Sequence, residues 1–298
     1  MEGTAFKRAN ADTFRGTDAL YSRFRLCNRL TDDSVSRCGK LSVEMYESKV
    51  NGIAFVAGRW PLDRDLPAIV FIHGSGGSSI LWHAQVEALA EKMNTIALDL
   101  PGHAGSGGEG MNCIGDYAAA VADFIAGIEA PQAIICGLSI GGAIVLHLLL
   151  EAPGKYKAGI IVNSGARLRV LPLIFETLEK NFEGFINASY TFSASEKTDP
   201  LQIKPLVDSM AACPPDVTKG DFTACDSFDA MERVSEIDVP VLILTASDDK
   251  MTPVKYGTFL ADRIKDSSIV NIEDAGHLSP MEKPEEVTQA LLEFVLSL

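Results

Sequence analysis

The fold is decided by the stretch Ile134-Ile135-Cys136-Gly137-Leu138-Ser139-Ile140-Gly141-Gly142-Ala143. A short apolar run, typical of a buried strand, leads into the pattern Gly-x-Ser-x-Gly, and an apolar helical pattern follows at once. A serine in so sharp a turn has a strained backbone, so the residues two positions before and after it must be small, and both are glycines here. The N-terminus of the following helix also places N–H groups beside the hydroxyl. The pattern therefore predicts that Ser139 is a nucleophile.

Strands and helices alternate on both sides of that turn. Residues 41–58 alternate in polarity around Asn51-Gly52, which is typical of a β-hairpin. The remaining pattern predicts strands at 68–72, 95–98, 134–138, 158–162, 239–245 and 268–272, and helices at 78–92, 114–128, 140–151, 253–265 and 284–297. This alternation indicates an α/β fold in which a mostly parallel central sheet has helices on both faces. Its core would comprise residues 41–164 and 237–298.

Residues 165–236 interrupt the alternation and form an insertion without a good strand. Helical patterns occupy 171–187, 200–212 and 221–234, with prolines between them. We expect a helical lid, because active sites in open α/β sheets lie at the carboxyl ends of the strands, where Ser139 also lies. A purely stabilising insertion is the alternative. Five aromatic residues are candidates for an apolar inner wall, although helical spacing alone would equally make them ordinary core: Phe175, Phe182, Phe185, Tyr190 and Phe192.

Composition and charge narrow the class of protein. The 298-residue chain has 47% hydrophobic and 22% charged residues, which is typical of a globular protein with one large core. Its net charge of −14 argues against nucleic acid or an anionic membrane surface as a partner. No apolar run is long enough to span a membrane, and the N-terminus lacks the apolar segment of an export signal, so we expect a cytoplasmic protein. Residues 1–40 are polar, and their pattern predicts either an arm with one helix at 18–30 or a partly ordered leader, with no role assigned to it.

The cysteines show no spacing typical of a metal or redox site. The six of them are scattered along the chain: Cys27, Cys38, Cys113, Cys136, Cys213 and Cys225. In a large chain with its own core, this distribution predicts reduced thiols, with a Cys213–Cys225 disulfide inside the insertion as the alternative. We expect neither a metal nor a cofactor.

A serine nucleophile needs a general base within hydrogen-bond reach, and five histidines are candidates. His73 ends a strand, His83 lies in a helix, and His103 lies in the loop after Asp99. His147 follows Ser139 by eight residues on one helix, about 12 Å along its axis, and cannot reach back. The last candidate, His277, follows the final strand on a loop at the carboxyl side of the sheet. We therefore expect His277 to be the base.

The acid that orients the base should also lie on a loop at a strand end. The predicted strand 239–245 leads into Ala246-Ser247-Asp248-Asp249-Lys250-Met251-Thr252-Pro253. Both Asp248 and Asp249 are candidates for the acid. Either of them is also a candidate N-cap of the helix that begins near Pro253.

An oxyanion needs backbone N–H donors, and one comes from the residue after the nucleophile, Ile140. The loop His73-Gly74-Ser75-Gly76-Gly77 follows another strand, and its glycines allow the backbone to turn inward. The N–H of Ser75 is then the natural second donor. A phosphate-binding loop is a poor alternative, because the Lys-Ser/Thr pair of a P-loop is absent from this segment.

Five motifs in this order resemble the α/β-hydrolase family over residues 41–298. They are 72–77, Asp99-Leu100-Pro101-Gly102-His103, 136–142, 248–253 and 276–286. The resemblance implies a Ser, Asp, His order of catalytic residues and a helical lid after the sixth strand. The family's usual G-x-x-D-x-x-x-P implies Asp249 as the acid. Ala246 replaces the usual glycine of that pattern and leaves Asp248 open.

Within the family, the motifs around Ser139 and His277 resemble those of carboxylesterases and 3-oxoadipate enol-lactone hydrolases. This implies a serine hydrolase that cleaves carboxylic esters or lactones of small molecules through an acyl-enzyme. The alternatives are a carbon–carbon bond hydrolase of ring-fission products, a thioesterase, and a ligand receptor on the same fold. Three cationic residues of the insertion are candidates to hold a substrate carboxylate or are solvated: Arg167, Arg169 and Lys180. Monomer and homodimer both remain open.

Overall fold

The computed structural model describes residues 45–130 and 132–298. The predicted arm at 1–40, with its helix at 18–30, lies outside the described residues. The centre is an eight-stranded sheet in the order β1-β2-β4-β3-β5-β6-β7-β8. The strands are β1 Tyr46–Val50, β2 Ile53–Ala57, β3 Ala68–Ile72, β4 Asn94–Leu98, β5 Ile134–Leu138, β6 Ala158–Val162, β7 Val241–Ala246 and β8 Ser267–Ile272. The pairs β1–β2 and β2–β4 are antiparallel, and all other pairs are parallel.

The predicted hairpin joins β1 to β2. Its two turn residues, Asn51 and Gly52, have φ values of 51° and 84°. Positive φ at both positions is the requirement of a type I′ turn, and its twist matches that of the paired strands. The turn residues thus set the register in which Val50 opposes Ile53.

Helices cover both faces of the sheet, as the alternation predicted. They are α1 His83–Leu89, α2 Ile114–Gly127, α3 Ile140–Glu151, α8 Lys255–Ala261, α9 Ser279–Glu282 and α10 Pro284–Ser297. Successive strand residues point to opposite faces. In β3, Val70 and Ile72 pack in the apolar cluster that contains α2 and α3, whereas Ile69 and Phe71 pack in the cluster that contains α1 and α10. The α/β fold with a mostly parallel sheet is therefore confirmed.

Four helices lie between β6 and β7, within the segment 165–236, which we call the helical insertion. They are α4 Pro172–Lys180, α5 Phe182–Phe192, α6 Pro200–Ala212 and α7 Pro215–Ser227. The single helix predicted at 171–187 is wrong: Asn181 leaves the helical conformation with ψ 68°, and its side chain accepts a hydrogen bond from the Gly184 N–H to begin α5. The bounds predicted for the helix at 221–234 are wrong. That helix begins at Pro215, which suits the first helical position, and ends at Ser227, and a separate 3₁₀ turn follows at Val234–Glu236.

Three further predictions concern a helix length, a disulfide and a membrane-spanning helix. The helix predicted at 78–92 is shorter, because Ser79–Trp82 forms a 3₁₀ turn ahead of α1. Cys213 and Cys225 are both free thiols, so the alternative disulfide is absent. Among the described residues, no helix combines the length and apolar character needed to cross a membrane.

Candidate active site

Ser139 lies in the turn between β5 and α3. Its backbone has φ 57° and ψ −118°, a strained conformation for a residue with a side chain. The Ser139 N–H donates to the Val162 carbonyl at 3.1 Å, and the Ser164 hydroxyl donates to the Ser139 carbonyl at 2.7 Å. A Cβ at Gly137 would lie 2.1 Å from the Gly141 carbonyl oxygen, and a Cβ at Gly141 would lie 2.5 Å from a carbonyl oxygen of β3. Both glycines are therefore required by the close packing of this turn.

His277 and Asp249 form a buried pair on the loops that follow β8 and β7. The His277 Nδ1 lies 2.8 Å from Asp249 Oδ2. With Nδ1 donating to the carboxylate, the lone pair of a neutral His277 ring lies on Nε2. That Nε2 is buried and has no hydrogen-bond partner in the described part of the chain. The pair thus leaves a ring nitrogen available to accept a proton.

The Asp249 carboxylate accepts three further hydrogen bonds. Its Oδ1 accepts from the N–H groups of Met251 and Thr252 at 2.8 and 2.9 Å, and its Oδ2 accepts from the Thr252 hydroxyl at 2.7 Å. Burial favours the neutral acid, but the adjacent His277 and these donors outweigh it and hold the pKa of Asp249 below its ordinary value. The alternative role as a helix N-cap is wrong for both aspartates, because α8 begins at Lys255 with Val254 as its N-cap and without a side-chain cap. Asp249 instead closes the 249–252 turn and contacts the histidine.

Asp248 points away from His277. Its carboxylate accepts hydrogen bonds from the hydroxyls of Ser195 at 2.6 Å and Ser247 at 3.1 Å. Lys197 lies 3.6 Å away and is largely exposed. The Ser195 hydroxyl, followed by Ser247 and Lys197, lowers the pKa of this carboxyl. Asp248 thus links the β7 loop to the segment between α5 and α6.

The two predicted oxyanion donors belong to the segments that meet at Ser139. Ile140 is the first residue of α3, where the helix leaves N–H groups without an intrahelical acceptor. The loop 73–77 approaches from β3, and a Cβ at Gly74 would lie 3.6 Å from the Ser139 Cβ. Within the described residues, the Ser75 N–H donates no hydrogen bond. Both predicted donors therefore belong to segments that contact Ser139, and both N–H groups lack a backbone acceptor in the described part of the chain.

Ser139, His277 and Ser75 line one small cavity. Most of its other walls are apolar side chains, contributed in part by α5, α6 and α7: Leu81, Leu138, Phe185, Phe192, Leu206, Met210, Phe222, Met251 and Leu278. Of the five aromatics proposed from the sequence, only Phe185 and Phe192 line the cavity, whereas Phe175, Phe182 and Tyr190 pack beside the apolar core. The cavity therefore accommodates an uncharged, apolar group next to the serine.

The three cationic candidates lie elsewhere. Arg167 and Arg169 are 3.6 and 3.9 Å from Asp229, and Lys180 is 3.5 Å from Glu176. All three side chains are about half exposed or more, and the cavity lining does not include them. These three residues are therefore solvated surface side chains, which was the alternative to a role in binding a substrate carboxylate.

Comparison with known proteins identifies the family. A sequence model of the alpha/beta hydrolase family matches residues 69–290, a range that contains Ser139, Asp249 and His277. The chain belongs to the alpha/beta hydrolase family. Its recognition from five ordered motifs is thereby confirmed.

Relatives of this hydrolase act on several kinds of substrate. It is 27% identical over 242 residues to 3-oxoadipate enol-lactonase 1 of Acinetobacter baylyi, covering 78% of this chain and 90% of that one. It is 22% identical over 237 residues to the pimeloyl-acyl-carrier protein methyl ester esterase of Nitrosomonas europaea, covering 74% and 92%. The enol-lactonase of Burkholderia xenovorans LB400 superposes with a TM-score of 0.76 at 21% identity, over 84% of this chain and 100% of that one. The predicted hydrolase class is confirmed.

Two residues that sequence reasoning missed hold the His277 loop of the hydrolase. The buried Glu282 carboxylate accepts from the N–H groups of Gly276, Leu278 and Ser195 at 2.9, 3.0 and 2.8 Å. Asn163 donates from Nδ2 to the His277 carbonyl at 2.8 Å. The sequence could have indicated Glu282, because a carboxylate five residues after the histidine, at the end of a short helix, is close enough in the chain to bind the loop N–H groups.

One of the histidines that geometry eliminated as the base, His73, makes hydrogen bonds within its own loop and to Leu100. His73 accepts from the Leu100 N–H at 2.9 Å and donates to the Gly74 carbonyl at 2.8 Å. Burial, together with the nearby His103, lowers the pKa of His73 to about 3. His73 is therefore a neutral support for the backbone of its loop.

Proposed function

We propose that this hydrolase cleaves carboxylic esters of small molecules through an acyl-enzyme on Ser139. The observation that carries the proposal is that Ser139 and His277 line one cavity while His277 is paired with the buried Asp249. A histidine held in this way is the base that a serine hydroxyl needs, because Asp249 keeps the proton on Nδ1 and leaves Nε2 free to accept another.

The reaction would proceed in two halves. The Ser139 oxygen attacks the ester carbonyl while its proton passes to His277 Nε2, and the oxyanion accepts hydrogen bonds from the Ser75 and Ile140 N–H groups. The tetrahedral species collapses, the C–O bond to the alcohol breaks, and His277 returns the proton to the departing oxygen. Water then attacks the acyl-enzyme with the same base, and the acid is released.

The substrate class follows from the cavity walls and the relatives. Apolar side chains surround the serine, so we infer that the acyl group is short and uncharged. A lactone is a cyclic ester, and the enol-lactonase relatives make lactone cleavage the second candidate. A 3-oxoadipate lactone retains a free carboxylate, and the described cavity lining contains no lysine or arginine to pair with it. This favours neutral esters.

Purified protein tests the proposal with p-nitrophenyl esters of increasing acyl length. We expect a burst of nitrophenol equal to the number of active sites, and fluorophosphonate labelling on the peptide that contains Ser139. Thioesters, lactones and a ring-fission dienone belong in the same panel, because dominant turnover of one of them would replace esters as the substrate. Tight ligand binding without any turnover would instead support a receptor.

We also propose that the helical insertion is a lid that sets acyl-chain preference. Two phenylalanines on α5 offer a matched test, because Phe182 and Phe192 are both partly buried and both pack against Phe185, at 6.3 and 5.6 Å between ring centroids. Only Phe192 lines the cavity. Phe192→Ala should move the optimum of kcat/KM to acyl chains about two to four carbons longer, because the vacated ring volume becomes available to the substrate.

The control for that prediction is Phe182→Ala, which should leave the chain-length profile unchanged at a similar cost in stability. Profiles of kcat/KM across p-nitrophenyl acetate to octanoate provide the measurement. An unchanged profile for Phe192→Ala would show that this face of the insertion has no part in selection.

A further inference from the structure

A buried carboxylate of the helical insertion reaches the loop that carries the second oxyanion donor. Asp221 lies on α7 and is fully buried. Its Oδ2 accepts from the Gly76 N–H at 2.7 Å and from His103 Nε2 at 2.9 Å, and its Oδ1 accepts from the Tyr117 hydroxyl at 2.6 Å. Three separate segments of the core therefore converge on one side chain of the insertion.

The loop 73–77 needs such an external contact. Three of its five residues are glycines, which have the largest conformational freedom in an unconstrained backbone. Gly76 has φ 66°, outside the range of an extended strand. The hydrogen bond from the Gly77 N–H to the Gly74 carbonyl at 3.0 Å closes the turn but leaves the intervening peptides free to rotate. The Asp221 contact fixes the Gly76 N–H and hence the peptide that follows Ser75.

The charge of Asp221 is balanced by His103. Nδ1 of His103 lies 3.0 Å from the Pro101 carbonyl, and Nε2 faces the carboxylate, so both ring nitrogens meet acceptors and both bind protons. Burial disfavours that imidazolium, but Asp221 outweighs burial and raises the pKa of His103. The contact with His103 and the hydrogen bond from the Tyr117 hydroxyl together offset the cost of burying this carboxyl group.

We propose that Asp221 is a positioning residue for the oxyanion: through the Gly76 N–H it holds the loop in the conformation that aims the Ser75 N–H at the reacting carbonyl. The proposal rests on the proposed ester hydrolysis. It makes the transition state dependent on a residue of the insertion that does not line the cavity. Substrate binding, which relies on the apolar walls, is independent of that contact.

Asp221→Asn separates the effect of this contact on the transition state from any effect on substrate binding. The amide that it introduces has no charge in either orientation. If its oxygen replaces Oδ2, the hydrogen bonds from the Gly76 N–H and from His103 are both weakened, and if its NH₂ group is there, that group repels the Gly76 N–H. We expect kcat for p-nitrophenyl butyrate to fall about 30- to 100-fold with KM within about threefold, because loss of a whole oxyanion donor costs more than its displacement. The affinity of an alkylboronic acid, whose adduct carries the oxyanion, should fall in parallel.

Tyr117→Phe is the matched control. It removes a donor from the same carboxylate but leaves both contacts of Oδ2, so its loss of kcat should be at least about tenfold smaller than that of Asp221→Asn. All rates are expressed per site titrated with a fluorophosphonate, so that partial unfolding does not mimic a catalytic loss. Equal losses in the two variants would assign Asp221 a merely structural role.

A second variant disturbs the contact from the loop. A Cβ at Gly76 would lie 3.1 Å from the Thr218 hydroxyl oxygen on α7, in a strained backbone, so Gly76→Ala should push the loop away from α7. It should lower kcat at unchanged KM, and the double variant should lose little more, because both changes break one contact. Full kcat in Gly76→Ala, or in a folded Asp221→Asn, overturns the proposal. An inactive wild-type protein would instead overturn the ester hydrolysis on which it rests.

Discussion

Ser139→Ala is expected to lower kcat for p-nitrophenyl esters about 10⁵- to 10⁶-fold, the largest effect of any single substitution in this chain. Alanine removes the oxygen that would form the acyl-enzyme and leaves no other attacking group next to His277. The cavity walls are untouched, so KM of the residual reaction should change little. Fluorophosphonate labelling and the nitrophenol burst should both disappear.

A second buried serine provides the control. Ser189 lies on α5, and its hydroxyl donates to the Ile186 carbonyl within the same helix at 2.6 Å. Ser189→Ala removes a hydroxyl of the same size away from the cavity, so kcat should stay within about threefold of wild type. Labelling of Ser139→Ala at the wild-type rate would eliminate Ser139 as the nucleophile and with it the acyl-enzyme.

Local chemistry explains why the sequence predicted so much of the fold and of the candidate site. The turn at Ser139 requires glycines two residues before and after the serine, so the pattern Gly-x-Ser-x-Gly is visible in the sequence itself. The alternation of strand and helix patterns likewise predicted the order of elements along the chain, which the structure confirms. The prediction that His277 is the base followed from its place on the loop after the last strand. In each of these cases the residues that impose the constraint are close together in the chain.

Contacts between distant segments explain what the sequence could not predict. Asp221 is separated from Gly76 by 145 residues, from His103 by 118 and from Tyr117 by 104. The local pattern predicts that an aspartate in an amphipathic helix is exposed, so nothing near Asp221 in the sequence indicates that it is buried. The break between α4 and α5 was also missed, because the apolar pattern continues through Asn181.

Asp249→Asn is expected to lower kcat about 10⁴-fold, because the amide would hold the wrong tautomer of His277. The N–H groups of Met251 and Thr252 both donate to Oδ1, so the amide oxygen is favoured at that position. The NH₂ group then occupies the position of Oδ2, 2.8 Å from His277 Nδ1, and donates to it. This places the ring proton on Nε2, and a protonated Nε2 cannot accept the proton of Ser139.

Asp248→Asn is the neighbouring control for that prediction. Its amide still offers an oxygen to the Ser195 hydroxyl, and Asp248 makes no contact with His277, so kcat should remain within about threefold of wild type. Because the Asn side chain at 249 keeps the cap of the turn, that variant should fold and bind substrate with a KM near that of wild type. Steady-state kinetics of both variants at pH 7, normalised to folded protein by circular dichroism, distinguish the two carboxylates.

A 10⁴-fold loss in Asp248→Asn with an active Asp249→Asn would reverse the assignment of the acid. Losses of similar size in both variants would show that the loop after β7 acts through its backbone conformation and not through one carboxylate.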